Sequence, residues 1–365
     1  LVKKQILVAG FKYGLGLGLL AFIVWRYWSP ADGIGISQAL QRPMHPGPLI
    51  LAALICVPSV LLTFVRWYYL VQAQELPFTL PNALRLGLVG YFLNCFLPGS
   101  IGGDIIKAAF IAREQSRRTV AVATVLIDRL VGLWGLCWLV ALLGGGFWLA
   151  GNEAINTHPT LQRILLIDLG IIAATVAAWF LLGVLPAYRA QRFAGRLGRV
   201  PKIGHSLGEL WRAVWMYRCK GRSIVLALGL SLVAQVGMVL VYYFSAQTFY
   251  QPEPGLPPLP SLGEHFLIIP IGMVVQAVIP VPGGLGVGEA SFGALYGLIH
   301  PELAPFGVLM ALVNRMISWG VSLVGYIIYL QMRPSLPVVP GAEATVANGQ
   351  PDLAPVEAEA CQKIA

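Results

Sequence analysis

Charge is what this sequence has least of. Only 11% of its 365 residues are Asp, Glu, Lys or Arg, about half the share in a soluble domain, which excludes an ordinary water-soluble globule. Cysteine is sparse as well. The five cysteines include no CxxC pair, so neither a zinc ribbon nor a disulfide framework is signalled. The five histidines stand singly, without metal-ligand spacing, and no metal or cofactor is expected. A Walker A loop is missing, which removes ATP as the obvious energy source.

What remains is strongly apolar. Hydrophobic residues make up 57% of the chain, the mean hydropathy is +0.73, and several runs exceed the roughly 20 residues that cross a bilayer. The expected fold is all-α, a polytopic membrane helix bundle. The net charge of +9 lies largely in loops beside the apolar runs. It therefore reads as a topology signal and an attraction to anionic inner-leaflet lipids, and no nucleic-acid partner is expected. The opening "LVKKQILVAGFKYGLGLGLLAFIVWRYW" begins like a signal peptide. Its apolar stretch is too long and no small-residue cleavage site follows, so it is read as the first span.

Full spans are expected at about 5–27, 49–70, 118–149, 163–187, 223–247 and 303–331. Two further apolar segments, 81–113 and 263–299, are broken in the middle by Pro/Gly clusters. The expected organisation is a first membrane half over 1–187, a basic amphipathic connector over 188–222 and a second half over 223–332. Residues 333–365, with four acidic groups and no apolar periodicity, are expected to be a disordered tail. Lys and Arg cluster before the first span, around Arg113, Arg117 and Arg118, and along 188–222. These clusters share the cytoplasmic side only if neither broken segment crosses. Each is then re-entrant: the first dips in from the cytoplasm, the second from outside, and both termini are cytoplasmic at the cell membrane. Within the connector, Arg189, Arg192, Arg196 and Arg199 fall at helical spacing, as on a helix lying along the inner leaflet or in a plain topology-setting loop.

The two breaks echo each other. Laid together without gaps, "LPGSIGGDIIKA" (97–108) sits over "VPGGLGVGEASF" (281–292). Pro98, Gly99 and Gly102 match Pro282, Gly283 and Gly286, and Gly103 and Gly284 complete the two loop tips. A carboxylate follows in each, Asp104 and Glu289, displaced by one position. Proline removes an N–H and glycine opens conformations closed to other residues, so both helices stop. Broken backbone at membrane depth is tolerated only against protein or water, so each tip is expected to face an internal cavity. New half-helices starting near Gly103 and Gly288 would aim positive dipole ends into it. Paired broken helices entering from opposite faces point to an inverted-repeat transporter.

The stretches "NCFLPGSIGGDIIKA", "ATVLIDRLVGL" and "IPVPGGLGVGEA" resemble, in that order, the membrane region of lysylphosphatidylglycerol synthases, a superfamily also called flippase-like (UPF0104). The resemblance runs from the first span to residue 331 and implies a lipid-translocating membrane protein. Larger family members add a soluble aminoacyl-transferase domain, which the resemblance does not place on these residues.

Seven ionisable residues fall within apolar segments: Arg66, Asp104, Lys107, Asp128, Arg129, Glu289 and Arg315. Each would cost about 2.5–3.5 kcal/mol at mid-bilayer on insertion scales, so most must turn inward. Arg129, Arg315, Lys107 and Arg66 are the candidate headgroup ligands, with Arg129 first because its planar fork suits phosphate oxygens. Arg66, near the end of its span, has the alternative of snorkelling to the interface. Asp104, Glu289 and Asp128 are candidates for proton or headgroup-amine handling. For Asp104 and Glu289 the plainer role is capping a half-helix, and for Lys107 it is a local ion pair with Asp104. Asp128 is expected to orient Arg129 or Arg315, or to pair with Lys107. Asn94, Ser100 and Gln276 offer further hydrogen bonds.

The expected function is transport of a phospholipid or polyprenyl-phosphate lipid between leaflets. Two alternatives are a membrane enzyme acting on lipid phosphates and a non-transporting partner of a lipid-modifying enzyme. The first would want a nucleophile–base or metal-carboxylate constellation, and no DxD or paired histidines stand in the sequence.

Overall fold

The computed structural model describes residues 2–29, 34–96, 102–114, 118–151, 159–184, 186–199, 220–279 and 281–332, with single positions 204, 208, 211, 215 and 217 between them. Every regular element among the described residues is helical. Helices α1 (Val2–Arg26) and α2 (Ile36–Gln41) precede the long α3 (Pro46–Gln72). Pro46 stands in the first turn of α3, where a missing N–H costs nothing. A first hairpin follows, α4 (Leu80–Phe96) and α5 (Gly102–Glu114). Then α6 (Arg118–Leu139) continues through a π-helical turn at Val140–Gly144 into α7 (Gly145–Leu149). Helix α8 (Pro159–Val184) leads to the short α9 (Ala187–Leu197). The later region has α10 (Gly221–Gln247), a second hairpin of α11 (Leu262–Val278) and α12 (Val287–Ile299), and the long α13 (Ala304–Met332).

Five helical segments among the described residues are long and apolar enough to cross a membrane: Pro46–Gln72, Val120–Leu149, Pro159–Leu181, Gly221–Gln247 and Pro301–Met332. The chain is a polytopic helical membrane protein. The sixth expected span, 5–27, coincides with α1. Both broken segments are helical hairpins with a 17-residue first arm and a 13-residue second arm. The expected tail, 333–365, and the first tip's Pro98, Gly99 and Ser100 lie outside the described residues.

Chain direction follows from side-chain contacts. Ser59 packs on Gly237 and Arg66 bonds Ser231, so α3 and α10 are antiparallel. Helix α6 runs alongside α10 in the same direction, with Ile127 clustered with Ile224 and Gly135 on Ser231. Pairing of Asp104 with Arg129 and clustering of Ile111 with Ala121 set α5 against α6. Glu289 with Arg315, and Gly293 with Val308, do the same for α12 and α13. Gly325 beside Leu88 and Trp319 beside Phe96 run α13 against α4. The first hairpin therefore opens toward the end where α3 finishes and α6 begins. The second opens toward the other end, where α10 finishes and α13 begins. The inner end of α4 meets the second tip mid-bundle, where Gly283 lies against the Cys95 carbonyl.

The second tip shows why glycine is needed. Gly283, Gly284 and Gly286 have φ of 54°, 65° and 77°, a region that L side chains enter only with strain. Helix α1 buttresses this tip. Its Gly16 faces Leu285, and the Tyr13 hydroxyl donates to the Phe96 carbonyl at the end of α4. In α9, Arg189, Arg192 and Arg196 are exposed while Ala190 and Ala194 are buried. The Trp211 indole N–H donates to the Ala190 carbonyl. The expected basic amphipathic segment thus begins as a helix that ends at Leu197, with Arg199 beyond it, and its described positions 204, 208, 211, 215 and 217 are helical too.

Candidate functional site

In the first hairpin, close packing of the arms comes first. A Cβ on Gly103 would stand 1.9 Å from the Gly90 carbonyl oxygen, so the backbones touch. The Asn94 side chain then accepts from the Gly103 N–H at 2.8 Å, satisfying one of the donors a helix start leaves open. Asp104, the expected cap, directs its oxygens elsewhere. Arg129 Nε donates to Oδ2, and Lys107 Nζ lies 3.5 Å from Oδ1. The Lys107 ammonium also stands 5.4 Å from the Trp67 ring and 5.5 Å from the Phe64 ring, a cation–π setting for a buried charge.

The second hairpin repeats the scheme. Asp104 is the third residue of α5 and Glu289 the third residue of α12. The two carboxylates, one place apart in the ungapped sequence comparison, therefore stand in register once the tips are allowed different lengths. Asn94 and Gln276 each occupy the third position from the end of the first arm. The Gln276 amide donates to the Gly283 carbonyl at 3.2 Å. Glu289 is fully buried and accepts the Gly286 N–H at 2.8 Å. Arg315 donates to its two oxygens at 2.5 and 3.0 Å and to the Gly283 and Gly284 carbonyls at 2.9 and 3.2 Å. Each carboxylate thus meets an arginine of the next long helix, 25 residues on in one case and 26 in the other.

Arg129 and Arg315 both line one cavity of about 330 Å³ between the inner end of α4 and the second tip, large enough for a small polar headgroup. Asn94, Gln276, Asn314, Gly283 and Gly284 add polar walls, and Met238, Tyr242 and Phe292 add apolar ones. Asn314 is only 8% exposed, and its Oδ1 has no hydrogen-bond partner among the described residues. Guanidinium groups, amides and an unpaired buried oxygen make a setting for an anion carrying further polar atoms. Among the described residues no group of three His, Cys, Asp or Glu is placed to hold a metal ion.

Lys107, Arg66 and Asp128 do not line this cavity. The expected partners of Asp128 were Arg129, Arg315 or Lys107, yet it accepts from Arg66 Nε at 2.8 Å. Arg66 is 5% exposed and also donates to Ser231 at 2.9 Å, so it turns into the bundle instead of snorkelling. Antiparallel packing of α3 on α6 creates this pair, a long-range contact that helical spacing within one span does not reveal. Two residues that sequence reasoning passed over also emerge. Asn314, next to Arg315 in "LVNRMISWG", enters the cavity. Asp168, within "LLIDLGII", is buried in α8 beside the Cys137 thiol. An acid in an apolar run is itself a signal by the cost already given.

The fold and the site define a helical membrane protein built around an arginine-lined internal cavity between two opposed hairpins. Residues 13–325 match the family described as the lysylphosphatidylglycerol synthase TM region, and the chain belongs to that family. A UPF0104 membrane protein of Pyrococcus horikoshii is 24% identical over 92% of this chain and 99% of the relative. No solved structure matches the chain.

Proposed function

We propose that this protein is a flippase-like transporter that moves a phospholipid or lipid-linked phosphate, such as a polyprenyl phosphate, between leaflets without chemically altering it. The observation that carries this reading is the delivery of two arginines, each from the long helix after a hairpin and each paired with that hairpin's carboxylate, to one mid-bundle cavity. Buried charge at this depth is costly and marks substrate pathways. The headgroup sits between the hairpin tips, its phosphate against the guanidinium forks, while its acyl or prenyl tails stay in the lipid.

The units α3–α7 and α10–α13 have the same order of long helix, hairpin and long helix, with opposite chain direction. This supports an inverted repeat with two re-entrant hairpins, whose rocking alternately exposes a fixed site. The end of the bundle bearing α9 also holds the start of α1 and the end of α13. Under the positive-inside rule that end is cytoplasmic at the cell membrane. The exposed arginines of α9 then meet anionic inner-leaflet lipids.

The test is translocation of fluorescent phospholipids in proteoliposomes, read as the fraction protected from an impermeant quencher. Arg129→Ala is expected to slow translocation at least about tenfold, the loss of a charge-assisted contact. Wild-type rates for every lipid in that variant would remove the phosphate site.

A further inference from the structure

Three carboxylates of the membrane helices have cations beside them. Asp104 meets Arg129 and Lys107, Asp128 meets Arg66, and Glu289 meets Arg315. Asp168 differs. It stands nine residues beyond the start of α8, about 14 Å along the helix at 1.5 Å per residue. That is near mid-depth for a hydrocarbon core of about 30 Å. With Leu161, Leu165 and Ile172 it forms a buried stripe along α8, the face that seats this helix on the bundle. A leucine would continue that stripe. Instead an acid stands there at 9% exposure, and its Oδ2 has no hydrogen-bond partner among the described residues.

The described groups around Asp168 supply no counter-charge. From α6 comes the neutral Cys137 thiol. The other ionisable groups of that helix, Asp128 and Arg129, lie two turns or more earlier and pair with Arg66 and Asp104. The π-helical turn Val140–Gly144 carries no ionisable side chain, and on α8 itself Arg163 is exposed. Beyond the turn, α11 has Glu264 and His265. Both are engaged at Ser261 in the helix cap, and His265 also bonds Tyr296. An ionised carboxylate with no counter-charge in an apolar seam is strongly disfavoured, so the form this seam accepts is the neutral acid.

We propose that Asp168 is a proton-binding site, separate from the arginine-lined cavity, and that lipid movement is coupled to proton uptake and release there. The coupling rests on the transport reading above; the proton site does not. The proton adds to the free Oδ2 from water on one side of the membrane and leaves to water on the other. Protonated, the acid lets α8 sit dry against α6. Ionised, it must draw water into the seam or lift α8 away. Of the five membrane-crossing segments α8 is the least buried, which suits a helix that shifts. Its movement reaches the second hairpin through the π-helical turn, an element frequent at functional sites. A Cβ on Gly144 would lie 3.4 Å from Leu165 Cδ1 of α8 and 3.1 Å from Leu267 Cδ1 of α11, so both leucines close on this glycine.

The test has two readouts on the full chain. Infrared difference spectra of wild type against Asp168→Asn in detergent at neutral pH are expected to show a carboxylic-acid carbonyl band belonging to wild type. No such band, with Asp168→Leu as a second replacement, would remove the proton site. In proteoliposomes with the potential clamped by valinomycin, the leaflet distribution of acyl-labelled phosphatidylglycerol is read with and without a pH gradient. One pH unit is expected to shift the wild-type distribution about tenfold, the equivalent of one proton per lipid. In folded Asp168→Asn the shift is expected to fall below about twofold. Wild-type lipid that equilibrates but ignores the pH gradient, or follows a sodium gradient at equal pH, would overturn the proton coupling. So would an undiminished shift in folded Asp168→Asn. Lipid that does not move under any condition would remove the transport reading and the coupling with it, and the infrared band would still decide the proton site.

Discussion

The pairing of Arg66 with Asp128 makes a test that separates scaffold from site. Arg66 is 5% exposed and its Nε lies 2.8 Å from Asp128 Oδ1. At that distance two unit charges attract by about 6 kcal/mol at an effective dielectric near 20, most of which offsets the desolvation of both ions. Removing one partner forfeits the attraction and keeps the burial. Arg66→Met alone is therefore expected to cost about 3–5 kcal/mol, and Asp128→Leu alone a similar amount. Removing both charges leaves two apolar side chains in an apolar bundle. The double variant is expected within about 1–2 kcal/mol of wild type, on either side. The assay is a double-mutant cycle by SDS titration of the protein in mixed micelles, followed by tryptophan fluorescence, with proteoliposome translocation measured on the same samples. A coupling energy near zero would refute the buried-pair reasoning. A double variant that folds like wild type but translocates nothing would refute the assignment of this pair to the scaffold.

Two further outcomes can be checked directly. Gly103→Ala would place a Cβ 1.9 Å from the Gly90 carbonyl and is expected to cost about 3 kcal/mol or more by splaying the first hairpin. Gly18→Ala in α1, with nothing within 4 Å, is expected to be neutral or stabilising by up to about 1 kcal/mol; thermal denaturation in detergent compares the two, and equal losses would contradict the close backbone approach. Single-cysteine variants retaining Cys95, which lines the cavity, or Cys56, which is fully buried, are expected to differ in labelling by a charged thiosulfonate. Cys95 reacts and Cys56 does not, and an inert Cys95 would mean that water does not reach the tips.

Much of the architecture was legible in the sequence because it is written in local quantities. Run length and hydropathy located the long helices, and Pro/Gly clusters located both breaks. Lys and Arg placement gave the hairpins opposite openings. Side-chain partners were legible only where they are local, as for Lys107 with Asp104. Arg66 and Asp128 are 62 residues apart, and only the packing of α3 on α6 joins them. The register of Asp104 with Glu289 was hidden for another reason. Five residues separate α4 from α5, and eight separate α11 from α12, so an ungapped comparison slips out of register at the tip. The π-helical turn at Val140–Gly144 left only the run Gly144–Gly145–Gly146 as a trace.

The second tip is wedged between two helices with main chain meeting main chain. Gly283 abuts the Cys95 carbonyl on α4, and Gly286 abuts the Gly16 carbonyl on α1. Such seams contain no rotamers to flip and no soft atoms to compress. Displacement there must proceed as a jump between discrete seatings, carrying the first helix along as a passenger.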